Sequence, residues 1–535
     1  MPTDPNPCLF QAFEWYSRDD GQHWRRLSRD APRLAALGVT TLWIPPAAKA
    51  ASGASSNGYD AYDLYDLGEF DQRGTARTKW GTKAELVELA DVAAAHGLDL
   101  LFDAVLNHKA GADGTDRVKA RRVDPEDRRK FVGPTEEVAV WTRFESHGSG
   151  PDSFRWFHSH FTGVDYDDLT QKKGIWLLDG KTWADDVSTE FGNFDYLMFA
   201  DIDHHHPDVR QELFHWAEWL DGELRIGGLR LDAAKHYSWQ FVRDMLAHVD
   251  EARRRRLGDG AKPWLVVAEH TGDERGPMEK YLDLLQDRVS LFDFPLLMNF
   301  CRASYDPNVD LRKIFAGALC ETRPKNAVTF IMNHDTQPGQ AIETPISPWF
   351  VPAAYALILL RADAGLPCVF HAHLHGSRGP SRENPFAPPG SLSPPLCGGA
   401  VLPRLMLARR LYAYGPQVDY FDDAACVGFV RLGHADHAAG AGLAVLINAG
   451  WKAAGKRMRV GRRAADAGVG RGDEREVWTD LLGWSWGELT PDEDGWATFH
   501  VGPRSVAVWG PRDAPGRELV DGVDGGSPPA ASDTS

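Results

Sequence analysis

Four segments place acids directly after short apolar runs: Asp103-Ala-Val-Leu-Asn107-His108, Gly228-Leu-Arg230-Leu-Asp232, Val267-Ala-Glu269-His270 and Met332-Asn333-His334-Asp335. Paired carboxylates do acid, base and nucleophilic work, and cleaving a glycosidic bond with retention needs a nucleophilic carboxylate and a protonated acid about 5–5.5 Å apart. Neighbouring strands of a sheet lie about 4.8 Å apart, so acids at equivalent heights on adjacent strands reach that separation unaided. Asp232 and Glu269 form such a pair. Arg230 stands two residues before Asp232, on the same face of a strand, where a guanidinium favours the ionised carboxylate. Asp232 is therefore read as the nucleophile. Glu269 ends an otherwise apolar run, Trp264 to Ala268, and low polarity with two anions nearby favours the protonated form that a general acid needs. Asp335 is left to grip sugar hydroxyls and to favour a distorted, positively charged transition state. Any one of these acids could equally be a capping carboxylate at a strand-to-helix turn; four at equivalent strand ends are harder to explain that way.

The elements that must position them follow from periodicity. Eight short apolar or β-branched runs occur: Leu9 to Phe13, Thr40 to Ile44, Leu98 to Val105, Ile226 to Leu231, Trp264 to Ala268, Ser290 to Phe294, Val328 to Met332 and Pro367 to Phe370. Amphipathic segments such as Gln22 to Leu37 and Ala84 to His96 separate them. Eight β/α units predict a closed α/β barrel, a (β/α)8 TIM barrel whose strand C-termini converge on one mouth. Between the third and fourth runs lies an insertion from Asn107 to Asp203, rich in Gly, Asp and Trp. It is too long for a loop. After the eighth run come a Pro/Gly/Ser stretch (Gly376 to Gly399), a helical pattern (Leu402 to Tyr414) and short strand-like pieces at Cys426 to Leu432, Leu443 to Asn448, Arg475 to Trp478 and Ser505 to Trp509. The expected division is a barrel over 1–106 and 204–400, an inserted small domain over 107–203 after strand 3, and a C-terminal antiparallel β domain over 401–511. A disordered Gly/Pro/Ser/Asp-rich tail is expected over 512–535.

Composition narrows the partners. The chain has 535 residues, 43% apolar, and a formal net charge of −17, which argues for a multi-domain soluble enzyme and against a phosphate-neutralising surface, so no nucleic-acid partner is expected. The one basic block, Arg253 to Arg256, reads as the end of a surface helix beginning near Trp239. The longest apolar stretch, Ala353 to Leu360, is far short of the roughly 20 residues a membrane span needs, so no membrane partner is expected. Six scattered cysteines (Cys8, Cys301, Cys320, Cys368, Cys397, Cys426), no N-x-S/T acceptor and no visible secretory signal together suggest a reducing cytoplasm.

With these residues in place the chain resembles the α-amylase family, glycoside hydrolase family thirteen, and within it the liquefying bacterial-type enzymes and their intracellular relatives. The resemblance runs from Gln11-Ala-Phe-Glu-Trp15-Tyr16 to the terminal β domain. It rests on Asp19-Asp-Gly-Gln-His-Trp24, Trp43-Ile-Pro-Pro46, Tyr62-Asp-Leu-Tyr-Asp-Leu-Gly-Glu-Phe70, Asp195-Tyr-Leu-Met-Phe-Ala-Asp201-Ile-Asp203, Gly228-Leu-Arg-Leu-Asp232-Ala-Ala-Lys235-His236 and Asn333-His-Asp335-Thr-Gln-Pro-Gly339. It implies Asp232 as nucleophile, Glu269 as acid/base and Asp335 as transition-state stabiliser of retaining endo-hydrolysis of α-1,4 bonds in starch-like or glycogen-like α-glucans. It further implies sugar contacts from Trp15, Tyr59, His108, Arg230 and His334, with Lys235 and His236 on the leaving-group side. A structural Ca²⁺ between barrel and insertion, held by Asn107, Asp195, Asp201 and the backbone carbonyl of His236, is implied as well. A monomer acting on an α-glucan is expected.

Departures qualify the inheritance. Acidic ligands of an additional metal cluster are replaced by Thr162 and Ala184, and a further calcium position in the terminal domain is replaced by Val418 and Ala449. A Tyr-Trp pair after the acid/base residue becomes His270-Thr271, and a Tyr-Gly-Asp pattern at the eighth strand becomes Phe370-His371-Ala-His373-Leu-His375. If that segment is extended, its three histidines share a face, and with His204-His205-His206 they raise a transition-metal alternative. No acid or cysteine accompanies them in sequence. A glucan-binding relative without turnover, and a transglycosylase using the same covalent intermediate, are the other readings.

Overall fold

The computed structural model describes residues 6–147, 154–379, 401–460 and 476–523. All eight apolar runs are strands, and they close into one parallel barrel: Leu9–Gln11, Thr41–Trp43, Asp99–Ala104, Gly228–Leu231, Leu265–Ala268, Ser290–Phe292, Ala327–Thr329 and Leu366–Phe370, in chain order around the circle. We call these the first to eighth barrel strands. The crossover segments are helical where the period indicates, for example α1 (His23–Ala36) and α2 (Lys83–Ala95). α2 starts at a capping box: the Thr82 hydroxyl accepts from the Glu85 amide, and the Glu85 carboxylate accepts from the Thr82 amide. α3 (Pro207–Glu223) and α4 (Trp239–Leu257) follow the same logic, with proline in the first turn of one and the Ser238 hydroxyl capping the other at the Phe241 amide. At the tail of α4, Arg253 and Arg256 do not simply face water, because both pair with the largely buried Asp221.

Register decides which side chains meet. The fourth strand pairs in parallel with the third (Arg230 opposite Asp103) and with the fifth (Leu231 opposite Ala268). Gly228 is required at the start of that ladder, since a Cβ there would lie 1.8 Å from the Leu265 carbonyl oxygen. The ladder runs one residue beyond the strands: the Asp232 amide donates to Ala104 O (3.1 Å) and the Glu269 amide to Leu231 O (2.9 Å). Asp232 and Glu269 therefore stand at the same height on neighbouring strands.

The inserted segment carries a four-stranded antiparallel sheet, ordered Phe131–Arg143, Gly114–Val123, Lys172–Leu178, Gly163–Asp167. Its entry and exit are stitched together by pairing of His108–Lys109 with Ala200–Asp201. Beyond α10 (Val401–Tyr412) comes an antiparallel sheet of Gln417–Tyr420, Cys426–Arg431, Leu443–Asn448, Ser505–Pro511 and Trp478–Asp480, with a facing pair Ala454–Arg459 and Trp496–Val501. Met458, Trp478, Phe499 and Trp509 fill the space between.

Three expectations are corrected. Residues 512–523 are not a disordered tail: they include α11 (Arg517–Asp521), with Val520 fully buried, and Arg404 of α10 donates to the Val523 carbonyl. Residues 524–535 lie outside the described residues, as do 380–399 of the Pro/Gly/Ser stretch. The strand expected at Arg475 to Trp478 is instead Trp478–Asp480. His371 to His375 is not extended but a short helix, α9. His371 and His375, four apart, lie tilted against each other with ring centroids 4.7 Å apart, whereas His373 points away and meets the Tyr355 hydroxyl at 2.7 Å. The three rings share no face.

Candidate active site

One guanidinium organises the mouth of the barrel. Arg230, 1% exposed, donates from Nη1 to Asp103 Oδ1 (2.8 Å) and Asp232 Oδ1 (2.6 Å), and from Nη2 to Glu269 Oε2 (2.6 Å). The planar fork gathers three carboxylates from three consecutive strands. Glu269 Oε2 also accepts the Ala233 amide (3.0 Å), for which Ala233 takes a left-handed conformation at φ +50°. Arg230, read from the sequence as a partner of Asp232, serves Glu269 at the same distance, so its charge does not by itself set the two acids apart.

The charge count is unbalanced. Asp103, Asp232, Glu269 and Asp335 surround a single arginine, so full ionisation would leave a large net negative charge in a buried site. Burial, with Glu269, Asp103 and Asp335 nearby, pushes Asp232 well above the ordinary carboxylate range against the pull of Arg230. Burial first, and then the neighbouring anions, outweigh the pull of Arg230 that was expected to lower Asp232. Asp335 is raised to about 7, by burial first and then by Glu269, with Arg230 opposing. With one cation among four buried acids, the site disfavours full ionisation.

Aromatic rings wall the other side. Tyr59 lies parallel to His334 (4.9 Å between centroids) and to Trp15 (6.0 Å). Its hydroxyl donates to Asp103 Oδ2 (2.8 Å), which also accepts from Trp43 Nε1 (2.9 Å). Such a flat, anchored stack suits a sugar, apolar on its faces and polar at its rim. His334 is buried, with Nε2 3.3 Å from Asp335 Oδ2 and Nδ1 3.1 Å from Gln11 Nε2.

Other expected sugar ligands are engaged by protein. His108 Nε2 donates to Tyr59 O (2.8 Å) and Nδ1 accepts from Asn107 Nδ2 (3.3 Å), so both ring nitrogens are used and the ring holds the Tyr59 loop in place. Lys235 Nζ donates to both oxygens of Glu190 (2.8 and 3.0 Å), from the insertion, and to Thr271 O (3.0 Å). The His236 ring lies across Phe194, with Nδ1 donating to its carbonyl (2.9 Å). Lys235 and His236 thereby tie barrel to insertion at the cleft edge.

Asn107, Asp195 and Asp201 lie at this junction, each 3% exposed or less. The His108 tautomer turns the Asn107 amide so that its oxygen is left buried without a partner. Asp195 is raised to about 8 by burial, and Asp201 is raised by burial and then by Asp195. An orphaned amide oxygen beside two buried like charges is a donor set that suits a hard cation. Thr162, in place of an acid, donates its hydroxyl to Asp201. Among the described residues, two further groups converge: His160, His206 and Asp208, and Asp185, Asp186 and His205. In the first, both Nδ1 atoms already accept backbone amides (Phe157 and Asp208, 3.3 Å each); the second is an Asp186–His205 ion pair. The alternating-histidine metal reading has no support in α9.

Asp103 was visible in sequence as a strand-end acid, but its role as third partner of Arg230 was not. Gln11 and Glu190 carried no signal of their own, because each acts through a residue distant in sequence.

A barrel whose fourth and fifth strands present paired acids to one arginine, under a parallel aromatic stack, defines a glycoside hydrolase. The family model for the α-amylase catalytic domain matches residues 31–339. The chain is 41% identical to an α-amylase of Bacillus licheniformis over 507 residues, covering 94% of this chain and 93% of that one. It is 37% identical to the cytoplasmic α-amylase of Escherichia coli, covering 94% and 98%, and 40% identical to a glucan 1,4-α-maltohexaosidase of Bacillus sp., covering 94% and 92%. The fold is shared with a crystal structure of an α-amylase from Geobacillus thermoleovorans in complex with acarbose, at TM-score 0.60 and 16% identity over 95% and 98% of the two chains. The chain belongs to the α-amylase family. It is an α-amylase-type glycoside hydrolase.

Proposed function

We propose that the chain cleaves internal α-1,4-glucosidic bonds of starch-like or glycogen-like glucans with retention, using Asp232, Glu269 and Asp335. Asp232 attacks the anomeric carbon while the glycosidic oxygen departs with a proton from Glu269; water then attacks the glycosyl ester, giving its proton to Glu269. Asp335 and the neutral His334 hold hydroxyls of the distorted sugar, and Tyr59 with Trp15 supplies the stacking face. The observation that carries this reading is the single fork of Arg230 engaging Asp232 and Glu269 at 2.6 Å each. Both acids also stand at the same height on adjacent strands, which supports the short carboxylate separation that a retaining mechanism needs.

Asn107, Asp195, Asp201 and the backbone carbonyl of His236 are proposed to hold one Ca²⁺, which when bound supplies positive charge between barrel and insertion. A cytoplasmic setting fits the Escherichia coli relative's name and the free cysteines Cys8, Cys301, Cys320, Cys368 and Cys426. No helix of the described residues is long and apolar enough to cross a membrane.

The test is product analysis from soluble starch by wild type beside Glu269→Gln. Oligosaccharides released with the α-anomer, and no release by the variant, support the reading. Equal activity in both removes Glu269 from its role.

A further inference from the structure

His334 is enclosed by flat surfaces. Tyr59 stacks at 4.9 Å, Phe13 lies tilted at 5.2 Å and Trp43 meets it edge-on at 5.6 Å. Polar partners reach it only at its two nitrogens among the contacts above: Gln11 Nε2 at Nδ1 (3.1 Å) and Asp335 Oδ2 at Nε2 (3.3 Å). Burial, and then the charge of Arg230, keep the ring neutral. A neutral imidazole carries one proton, and its place is set by the partner at the other nitrogen. Opposite the ionised Asp335 carboxylate, the form that prevails above about pH 7, that proton belongs on Nε2; on Nδ1 it would leave two lone pairs facing each other.

From this geometry we propose that Gln11 is a positioning residue that selects the Nε2–H tautomer of His334, by donating its side-chain amide to Nδ1. The consequence is a cleft in which His334 offers a donor to Asp335 and to a sugar hydroxyl, never an acceptor. The arrangement has a visible cost: with its NH2 turned to His334, Gln11 leaves Oε1 buried and without a hydrogen-bond partner, although the residue is 0% exposed on the first barrel strand. Turning the amide over would give Oε1 a partner only by moving the ring proton to Nδ1, so the orphaned oxygen and the Nε2–H tautomer go together. Nothing in composition or spacing marks Gln11, which reaches the ring from the first strand at 3.1 Å.

The proposal rests on the reading that His334 faces the substrate, but its primary readout does not. Enzyme labelled with ¹⁵N-histidine, in the full chain, is examined by long-range ¹H–¹⁵N correlation at about pH 9, above the Asp335 value of about 7, with the His334 signals identified by their loss in His334→Asn. The expected result is a pyrrole-type shift at Nε2 and a pyridine-type shift at Nδ1. A protonated Nδ1 overturns the proposal even if the enzyme is fully active. Gln11→Glu, which can only accept, is expected to draw a proton onto Nδ1 in the same spectrum and to lower kcat/KM by about tenfold or more, mostly in kcat, because the lost donation is made in the transition state. Gln11→Met, of similar shape and without polar atoms, is expected to leave a mixture of tautomers and an intermediate rate. Folded Gln11→Glu enzyme with wild-type kcat/KM and an unchanged spectrum overturns the proposal. Should either variant fail to fold, the wild-type spectrum alone decides.

Discussion

Replacing Arg230 by methionine removes the cation that, among the described residues, pairs with Asp103, Asp232 and Glu269, while keeping most of the side-chain volume. Arg230 makes three charge-assisted hydrogen bonds of 2.6–2.8 Å inside a site where it is 1% exposed. Removing one partner of a buried ion pair costs about 3–5 kcal/mol, because the charges left behind have neither water nor partner. The carboxylates escape part of that cost by protonating. Asp232 and Asp335 are already raised by burial and by their neighbours, and loss of the arginine raises them further. A carboxylate whose folded-state value exceeds its unfolded one contributes most below the unfolded value, and that contribution is lost as pH rises through the folded value. Relative to wild type, Arg230→Met should therefore be destabilised by about 3–5 kcal/mol at pH 8 and by clearly less at pH 4.5. Urea unfolding of both proteins at the two pH values measures this, and kcat/KM on a chromogenic maltooligosaccharide should fall by at least about a hundredfold. Equal destabilisation at both pH values would refute the charge-count argument. Retained activity would refute the claim that Arg230 aligns the acids.

Asp335→Asn should be inactive yet more resistant to urea than wild type at pH 8, with little difference at pH 4.5, since a neutral amide avoids ionising a group held near 7; lower resistance at pH 8 would contradict it. Chelation should lower the urea midpoint and added Ca²⁺ should restore it, whereas Asp201→Asn should show a smaller response to both, because Asp195 and Asp201 face each other with buried like charge; an unchanged response to chelator would argue against a cation at that junction. Glu190→Gln should loosen Lys235, whose ammonium now lies 2.8 Å and 3.0 Å from the two Glu190 oxygens, and raise KM several-fold with kcat nearly kept. An equal fall in kcat would place Lys235 in the chemistry.

The barrel was legible because its strands are short, apolar and evenly interleaved with helix-period segments, and because register converts strand ends into one rim. Arg230, Asp232 and Glu269 could be grouped from spacing alone: i and i+2 share a face, and neighbouring strands share a height. What spacing could not show was competition. That Arg230 divides itself among three acids, and that Asp232 is raised and not lowered, depends on how deeply the site is buried and on Glu269, Asp103 and Asp335 arriving from other strands. The family resemblance implies a sugar contact from His108, yet its two nitrogens are engaged by Tyr59 O and Asn107, contacts set by the folding of a separate loop. The misjudged His371 to His375 segment shows the limit of short apolar runs: Phe370 ends the eighth strand and the next residue already begins a helix, so alternation in sequence became opposition in space. Likewise Gly, Pro and Ser after Arg512 suggested disorder, but Val520 and the Val523 carbonyl find partners on α10 that no local pattern announces.

The most direct measurement is capture of the covalent intermediate. Glu269→Gln enzyme, incubated with an α-maltosyl fluoride bearing a second fluorine on the reacting ring to slow turnover, is digested and sequenced by mass spectrometry. The account predicts one added glycosyl group, on the peptide containing Asp232 and on that side chain. A label on Asp335 or Asp103, or released sugar of inverted configuration with no label at all, would contradict it.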